Sequence, residues 1–290
     1  MSFIDPEFDN FFAKTISALE PYLDNIVCVG GCATALYRYH KYASRVPWDF
    51  LGTMDLDVAV PQILPLNNRP PIAELMNNIG LKEIFCGNKN DAVIKYAPSD
   101  RKNSADIEFL CDLSGLPQKD QNRAAIKVQK GFSAQPLRYL AMSLENTWNL
   151  KLKVIPEFQN LKDLTIQVPN PAAYIVSKIL VRDEKRKPEF FQKDCFYIYE
   201  VSTTFRNSFT KIHNEYNKLS PCTNRWKKRF EQNARTLFAD EYSEGTVNAM
   251  GVYKDLGELK HPNFELTEEI VCRSVNKMLD YMTSTFVEYQ

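Results

Sequence analysis

The chain has 290 residues, enough for one large domain or two smaller ones, and 44% of them are apolar, which supports ordinary globular cores. Lysine plus arginine equals aspartate plus glutamate, 36 each, so net charge argues for no partner class. Seven cysteines without CxxC spacing predict reduced thiols and a cytoplasmic protein, and three histidines without paired spacing argue against a zinc centre.

In chain order, residues 5–23 carry apolar residues at helical spacing, with an acidic start unlike a signal peptide. NIVCVGG, 25–31, reads as a short strand ending in two glycines, and CATALYRYHKYA, 32–43, as a helix. TMDLDVAVP, 53–61, is the next strand, stopped by Pro61. PIAELMNNIG is a helix ended by Gly80, and LKEIF, DAVIKYA and ADIEFLCDL follow as three strands. The stretch to about Val168 is mixed. From Pro171 onward four helical patterns dominate, the third of them basic around NRWKKRFEQNARTLF. The expected fold class is α+β: a small mixed sheet flanked by helices over residues 1–168, then a mainly helical domain over 169–290. No run approaches a membrane span.

Asp55 and Asp57 are the first anomaly. Strand side chains alternate, so both carboxylates share one face while Leu56, Val58 and Val60 take the other. Like charges so placed repel. Asp106 and Glu108 in ADIEFL repeat the arrangement. If the two strands are neighbours, three or four carboxylates converge, and such a cluster calls for a cation. Oxygen donors of this kind suit Mg²⁺ or Mn²⁺, and two such ions can clamp a phosphoryl displacement. Gly30 and Gly31 sit between a strand and a helix start, where the backbone can approach phosphate oxygens.

The order VGG…TMDLDVAV…ADIEFL resembles the polymerase-β-like nucleotidyltransferase superfamily. The resemblance implies that Gly30 and Gly31 hold phosphates, with Thr53 beside them, and that Asp55 and Asp57 bind metal. It makes Asp106 the third catalytic acid, with Glu108 the alternate. Residues VPNPAAYIVSKILVRDEKRKPEFFQKDCFYIYE resemble bacterial nucleotidyltransferase-like proteins related to AbiEii-type toxins. That likeness implies that Lys178 contacts the triphosphate, that Lys193 and Asp194 form the accompanying Lys-Asp pair, and that the helical domain completes the nucleotide site. The chain departs from these relatives at Phe50-Leu51-Gly52, where many carry Arg, and at Ser177, where many carry His.

The resulting expectation is a Mg²⁺-dependent (or Mn²⁺-dependent) transferase moving a nucleoside monophosphate from an NTP to an acceptor hydroxyl. A basic stretch tilts the acceptor toward RNA or tRNA: between Phe205 and Arg235 stand eight basic residues and two acids. The same stretch reads first as an amphipathic helix packing Trp226, Phe230 and Leu237 inward. A toxin role with an antitoxin partner follows from the AbiEii-type likeness alone. The rival reading is a catalytically silent nucleotide-binding module of the same fold. Arg182, Lys185, Arg186 and Lys187 read as a solvated turn, and His40, His213 and His261 as surface or loop histidines.

Overall fold

The computed structural model describes residues 3–46, 48, 53–86, 93–99, 105–115, 125–161, 163–183, 188–255 and 265–284. The fold is mixed α+β, as the sequence predicts. The chain forms two compact units, one of Met1–Tyr39 and Gly52–Pro169, the other of His40–Leu51 and Asn170–Gln290.

The first unit opens with α1 (Pro6–Ala18), capped by Asp5, whose carboxylate accepts from the Glu7 and Phe8 amides. Its buried face carries Phe8, Phe12 and Ile16, and Phe12 stacks on Phe158 at 5.0 Å. β1 (Val27–Cys28) leads directly into α2 (Gly30–Tyr37). The two glycines therefore stand inside the first turn of the helix, and the helix ends at Tyr37 instead of running on to residue 43. Then come β2 (Asp55–Val60), α3 (Ile72–Asn78), β3 (Leu81–Cys86), β4 (Val93–Pro98), β5 (Asp106–Asp112), β6 (Ile126–Gln129), β7 (Phe132–Leu137) and α4 (Leu140–Glu145). A separate antiparallel pair, β8 (Thr147–Lys151) and β9 (Thr165–Pro169), closes the unit.

The main sheet runs β1-β2-β5-β4-β3. β2 and β5 are parallel, β4 is antiparallel to β5, and β5 exchanges β4 for the parallel β7 along the same edge after residue 108. One face is apolar: Leu56, Val58, Tyr96, Ile107, Phe109 and Phe132 are all buried, and Phe109 meets Phe132 edge-on at 4.8 Å. The opposite face changes character along the strands. Successive β2–β5 partners on it are Asp55 with Asp106, Asp57 with Glu108, and Ala59 with Leu110. The last pair joins Val27, Val29 and Leu140 in a small apolar cluster. Two carboxylate rungs thus lie next to a dry floor that anchors both strands.

The second unit is helical: α5 (Pro171–Leu180), α6 (Pro188–Thr204), α7 (Phe209–Asn217), α8 (Asn224–Leu237), α9 (Glu244–Asp255) and α10 (Glu268–Thr283). Asn170 caps α5 by accepting from the Ala173 amide at 2.8 Å, and Pro171 fills the first helical position, where no donor is needed. The 40–51 segment belongs to this unit: the Ser44 amide donates to the Thr204 carbonyl, and the Trp48 indole donates to Glu200 and stacks on Tyr199. Among the described residues no helix is long and apolar enough to cross a membrane.

Candidate metal and phosphate site

Parallel register brings the acids together. Asp55 lies directly across from Asp106 and Asp57 across from Glu108. Among the described residues, Asp55, Asp106 and Glu108 each offer an oxygen within 4.8 Å of the other two. Hard oxygen donors so clustered fit Mg²⁺ or Mn²⁺.

Sequence reasoning missed the residue at the centre. Lys95 on β4 pairs in register with Glu108, and its flanking residues Ile94 and Tyr96 are buried. Alternation turns the lysine onto the acidic face. Its Nζ is 2.6 Å from Glu108 Oε1, 3.1 Å from Asp106 Oδ2 and 3.3 Å from Asp55 Oδ1. Side chains of Lys95, Asp106 and Glu108 are each 18% exposed, and that of Asp55 is 48% exposed, so the cluster is closed at β4 and open at the start of β2. Burial disfavours the charged lysine, but the hydrogen bond and charge of Glu108, with Asp55 and Asp106, outweigh it and raise its pKa. Burial lifts Asp106 to about 6, with Asp55 and Glu108 adding to the rise and Lys95 opposing it. One signal was available: a lone lysine inside an apolar strand. Its partner across the ladder was not.

Asp57 turns toward the glycines. A Cβ on Gly30 would stand 1.9 Å from Asp57 Oδ2, and Gly30 has φ +62. The Asp57 carbonyl also accepts from the Val29 amide at 2.9 Å. Gly30 is therefore required by the close approach of a carboxylate to the start of α2, where the helix dipole favours negative charge. Gly31 is a buried helical residue whose carbonyl accepts from Thr34 Oγ1 at 2.7 Å. Thr53 Oγ1 accepts from the Asp55 amide at 3.3 Å, shaping the entry to β2. Asp112, beyond Leu110 on the same face of β5, has a different task. Its oxygens accept from the Ala141 and Ser114 amides at 2.9 and 2.7 Å, tying the start of α4 to the end of β5.

A nucleotidyltransferase family model matches residues 11–219. The chain belongs to the nucleotidyltransferase family. No curated protein and no solved structure matches it significantly. The matched span includes all four acids, Lys95, both glycines and Lys178.

In the helical unit, Lys178 Nζ binds Asp194 Oδ1 at 2.5 Å, joining α5 to α6. The ammonium also lies 5.5 Å from the Tyr174 ring centre and 5.7 Å from that of Tyr197. Asp194 is buried, whereas Lys193 beside it is exposed, so within the pair only the acid reaches Lys178. Arg182 bridges to Glu244 at 2.8 Å, while Lys185, Arg186 and Lys187 lie outside the described residues, as do Phe50-Leu51-Gly52 and His261. In α8, Phe230 and Leu237 are buried as predicted, and Trp226 is half-buried. His40 corrects an expectation: it is buried, and its Nδ1 accepts from the Tyr42 amide. Cys28, Cys32, Cys111, Cys195, Cys222 and Cys272 are free; the first four are buried, and burial raises the Cys32 thiol well above its usual range, so it is no activated nucleophile.

Proposed function

We propose that the protein is a metal-dependent transferase that moves a nucleoside monophosphate from an NTP to an acceptor hydroxyl. The observation that carries this reading is the β2–β5 register, which stacks Asp55 on Asp106 and Asp57 on Glu108 beside the Gly30 turn in a member of the nucleotidyltransferase family. Asp55, Asp57 and Asp106, with Glu108 as alternate, are the proposed holders of Mg²⁺ or Mn²⁺. A bound ion would neutralise triphosphate charge and polarise the α-phosphate.

The chain's own residues supply the rest. Gly30 and Gly31 present backbone N–H groups near the phosphates, and Thr53 holds the entry to β2. Asp106 accepts the proton of the attacking hydroxyl, and pyrophosphate leaves. Lys178, aligned by Asp194, is proposed to bind the triphosphate, with Lys193 as an exposed second cation. RNA or tRNA is the favoured acceptor, supported by the exposed basic residues of α8, among them Arg225 and Lys228. A toxin role with an antitoxin partner rests on the AbiEii-type resemblance only.

Each α-labelled NTP, incubated with Mg²⁺ or Mn²⁺ and total RNA, protein or small hydroxyl compounds, should label one acceptor pool. Asp55→Asn and Asp57→Asn should each reduce labelling by a factor of ~100 or more while the protein stays folded, on the scale of losing a main electrostatic contributor. No labelling with any NTP, alongside measurable nucleotide binding, would favour the silent module. Growth arrest on expression, absent in Asp57→Asn, would support the toxin role.

A further inference from the structure

The residue the site did not need for its metal chemistry is Lys95. Carboxylates gathered to bind divalent ions are normally left without a protein cation among them, because an ammonium and a metal ion compete for the same oxygens. Here Nζ is within 2.6–3.3 Å of Asp55, Asp106 and Glu108 together. The three acids each offer an oxygen within 4.8 Å of the other two, and the ammonium already sits on an oxygen of every one of them, so it competes directly with any ion that all three would hold. A Mg²⁺ ion needs oxygens about 2.1 Å away, and oxygens already bound to the ammonium at 2.6–3.3 Å would have to give up that contact to reach it.

The lysine is held there by the sheet. Its backbone is locked opposite Glu108 in the β4–β5 ladder, and Ile94 and Tyr96 anchor the strand from the other face. Its side chain is only 18% exposed, so withdrawal from the three carboxylates would strand a charge in a poorly hydrated place. The remaining acids are differently disposed. Asp55 meets Lys95 through one oxygen and is about half exposed, and Asp57 turns to the Gly30 start of α2.

We propose that Lys95 is the resident cation of the acidic site: it takes the place of one of the two divalent ions expected of such a site, so that Asp55 and Asp57 bind a single divalent ion with the nucleotide. The inference rests on the metal-dependent transferase reading above. It makes Lys95 a positioning residue that sets metal stoichiometry, and it replaces the metal-holding role given above to Asp106 and its alternate Glu108: both are held by the ammonium, and Asp55 and Asp57 keep the ion.

The test is equilibrium dialysis of the full chain against Mn²⁺, with the non-hydrolysable α,β-methylene analogue of each NTP at equal concentration on both sides. Mn²⁺ and analogue retained per chain are both measured. The wild type and Lys95→Arg should retain about one Mn²⁺ per analogue, and Lys95→Met about two. Two ions on the wild type, or one on a Lys95→Met protein that keeps its near-ultraviolet circular dichroism, would overturn the proposal. Should Lys95→Met fail to fold, Lys95→Gln replaces it with a neutral side chain that still offers a hydrogen-bond donor. Retention of the analogue with the wrong ion count defeats only the role of Lys95. Retention of neither analogue nor Mn²⁺ by the wild type, unchanged in Asp55→Ala, defeats the transferase reading and this inference with it.

Discussion

Gly30 shows how much one missing methyl group decides. Its φ of +62 alone would cost an alanine about 1 kcal/mol or a little more. The larger penalty is steric, since the Cβ would stand 1.9 Å from Asp57 Oδ2 and the carboxylate would have to move. Gly30→Ala should therefore lower the unfolding midpoint and weaken Mn²⁺ binding by more than tenfold. Gly80→Ala is the control: Gly80 also has positive φ, +83, but nothing lies within 4 Å of its Cβ position. It should show the modest backbone cost in a urea titration and leave Mn²⁺ binding unchanged. His40 offers a second test at this scale. Burial, with the charge of Lys41, pushes its pKa down to about 4, and its neutral Nδ1 accepts from the Tyr42 amide. In the unfolded chain it titrates near 6.5, so between about 6.5 and 4 the unfolded state binds more protons. Stability contributed by neutral His40 is thus complete above 6.5 and is lost as pH falls toward 4. Discounted for partial contact with water, the loss is about 1–2 kcal/mol. Urea midpoints at pH 7 and 4.5 should differ more in the wild type than in His40→Gln.

At the scale of elements, the helix pair α5–α6 carries the sharpest prediction. Lys178 and Asp194 form a half-buried ion pair with the acid side chain 4% exposed. Breaking such a pair strands a charge and typically costs ~3 kcal/mol or more, whereas replacing both members by apolar groups is far milder. In a double-mutant cycle by urea unfolding, Asp194→Leu should be strongly destabilising and Lys178→Met added to it should restore much of the loss. Strands were the most legible elements, because alternation is a local property. The face assignments of Asp55, Asp57, Asp106 and Glu108 follow from it directly. Helices with weak local signals were not legible. α9 contains two glycines; at Gly245 a Cβ would meet the Leu237 carbonyl at 2.6 Å, so that glycine answers to close packing against another segment, while Gly251 has nothing within 4 Å and only weakens the local helix signal. α7 is short, and its buried Phe209, Ile212 and Tyr216 gain their meaning from the helices around them. α2 begins at Gly30, earlier than helical patterning suggests, because this glycine lets the Asp57 side chain of β2 reach the first turn.

At the scale of the whole molecule, the chain is not divided by a single cut. Residues 40–51 interrupt the first unit in sequence and belong to the second, through Ser44 to Thr204 and Trp48 to Tyr199 and Glu200. Fragments 1–169 and 170–290 should therefore both be compromised. In the first, Trp48, 6% exposed in the intact chain, loses its stacking partner and should show red-shifted fluorescence relative to the full protein. The second should melt at a lower temperature than the helical unit in the full chain. A fragment 170–290 as stable as the intact protein would contradict this.

The α+β class, the two acidic strand faces, the glycines before them and the family resemblance are all legible in the residues, because each depends on residue type and spacing within one segment. That β2 and β5 pair in parallel with acid opposite acid, that Gly30 makes room for Asp57, and that Lys95 reaches from a third strand into the carboxylates emerges once the strands are packed together. Register between strands distant in sequence is set by packing on the apolar face, and no local pattern encodes it.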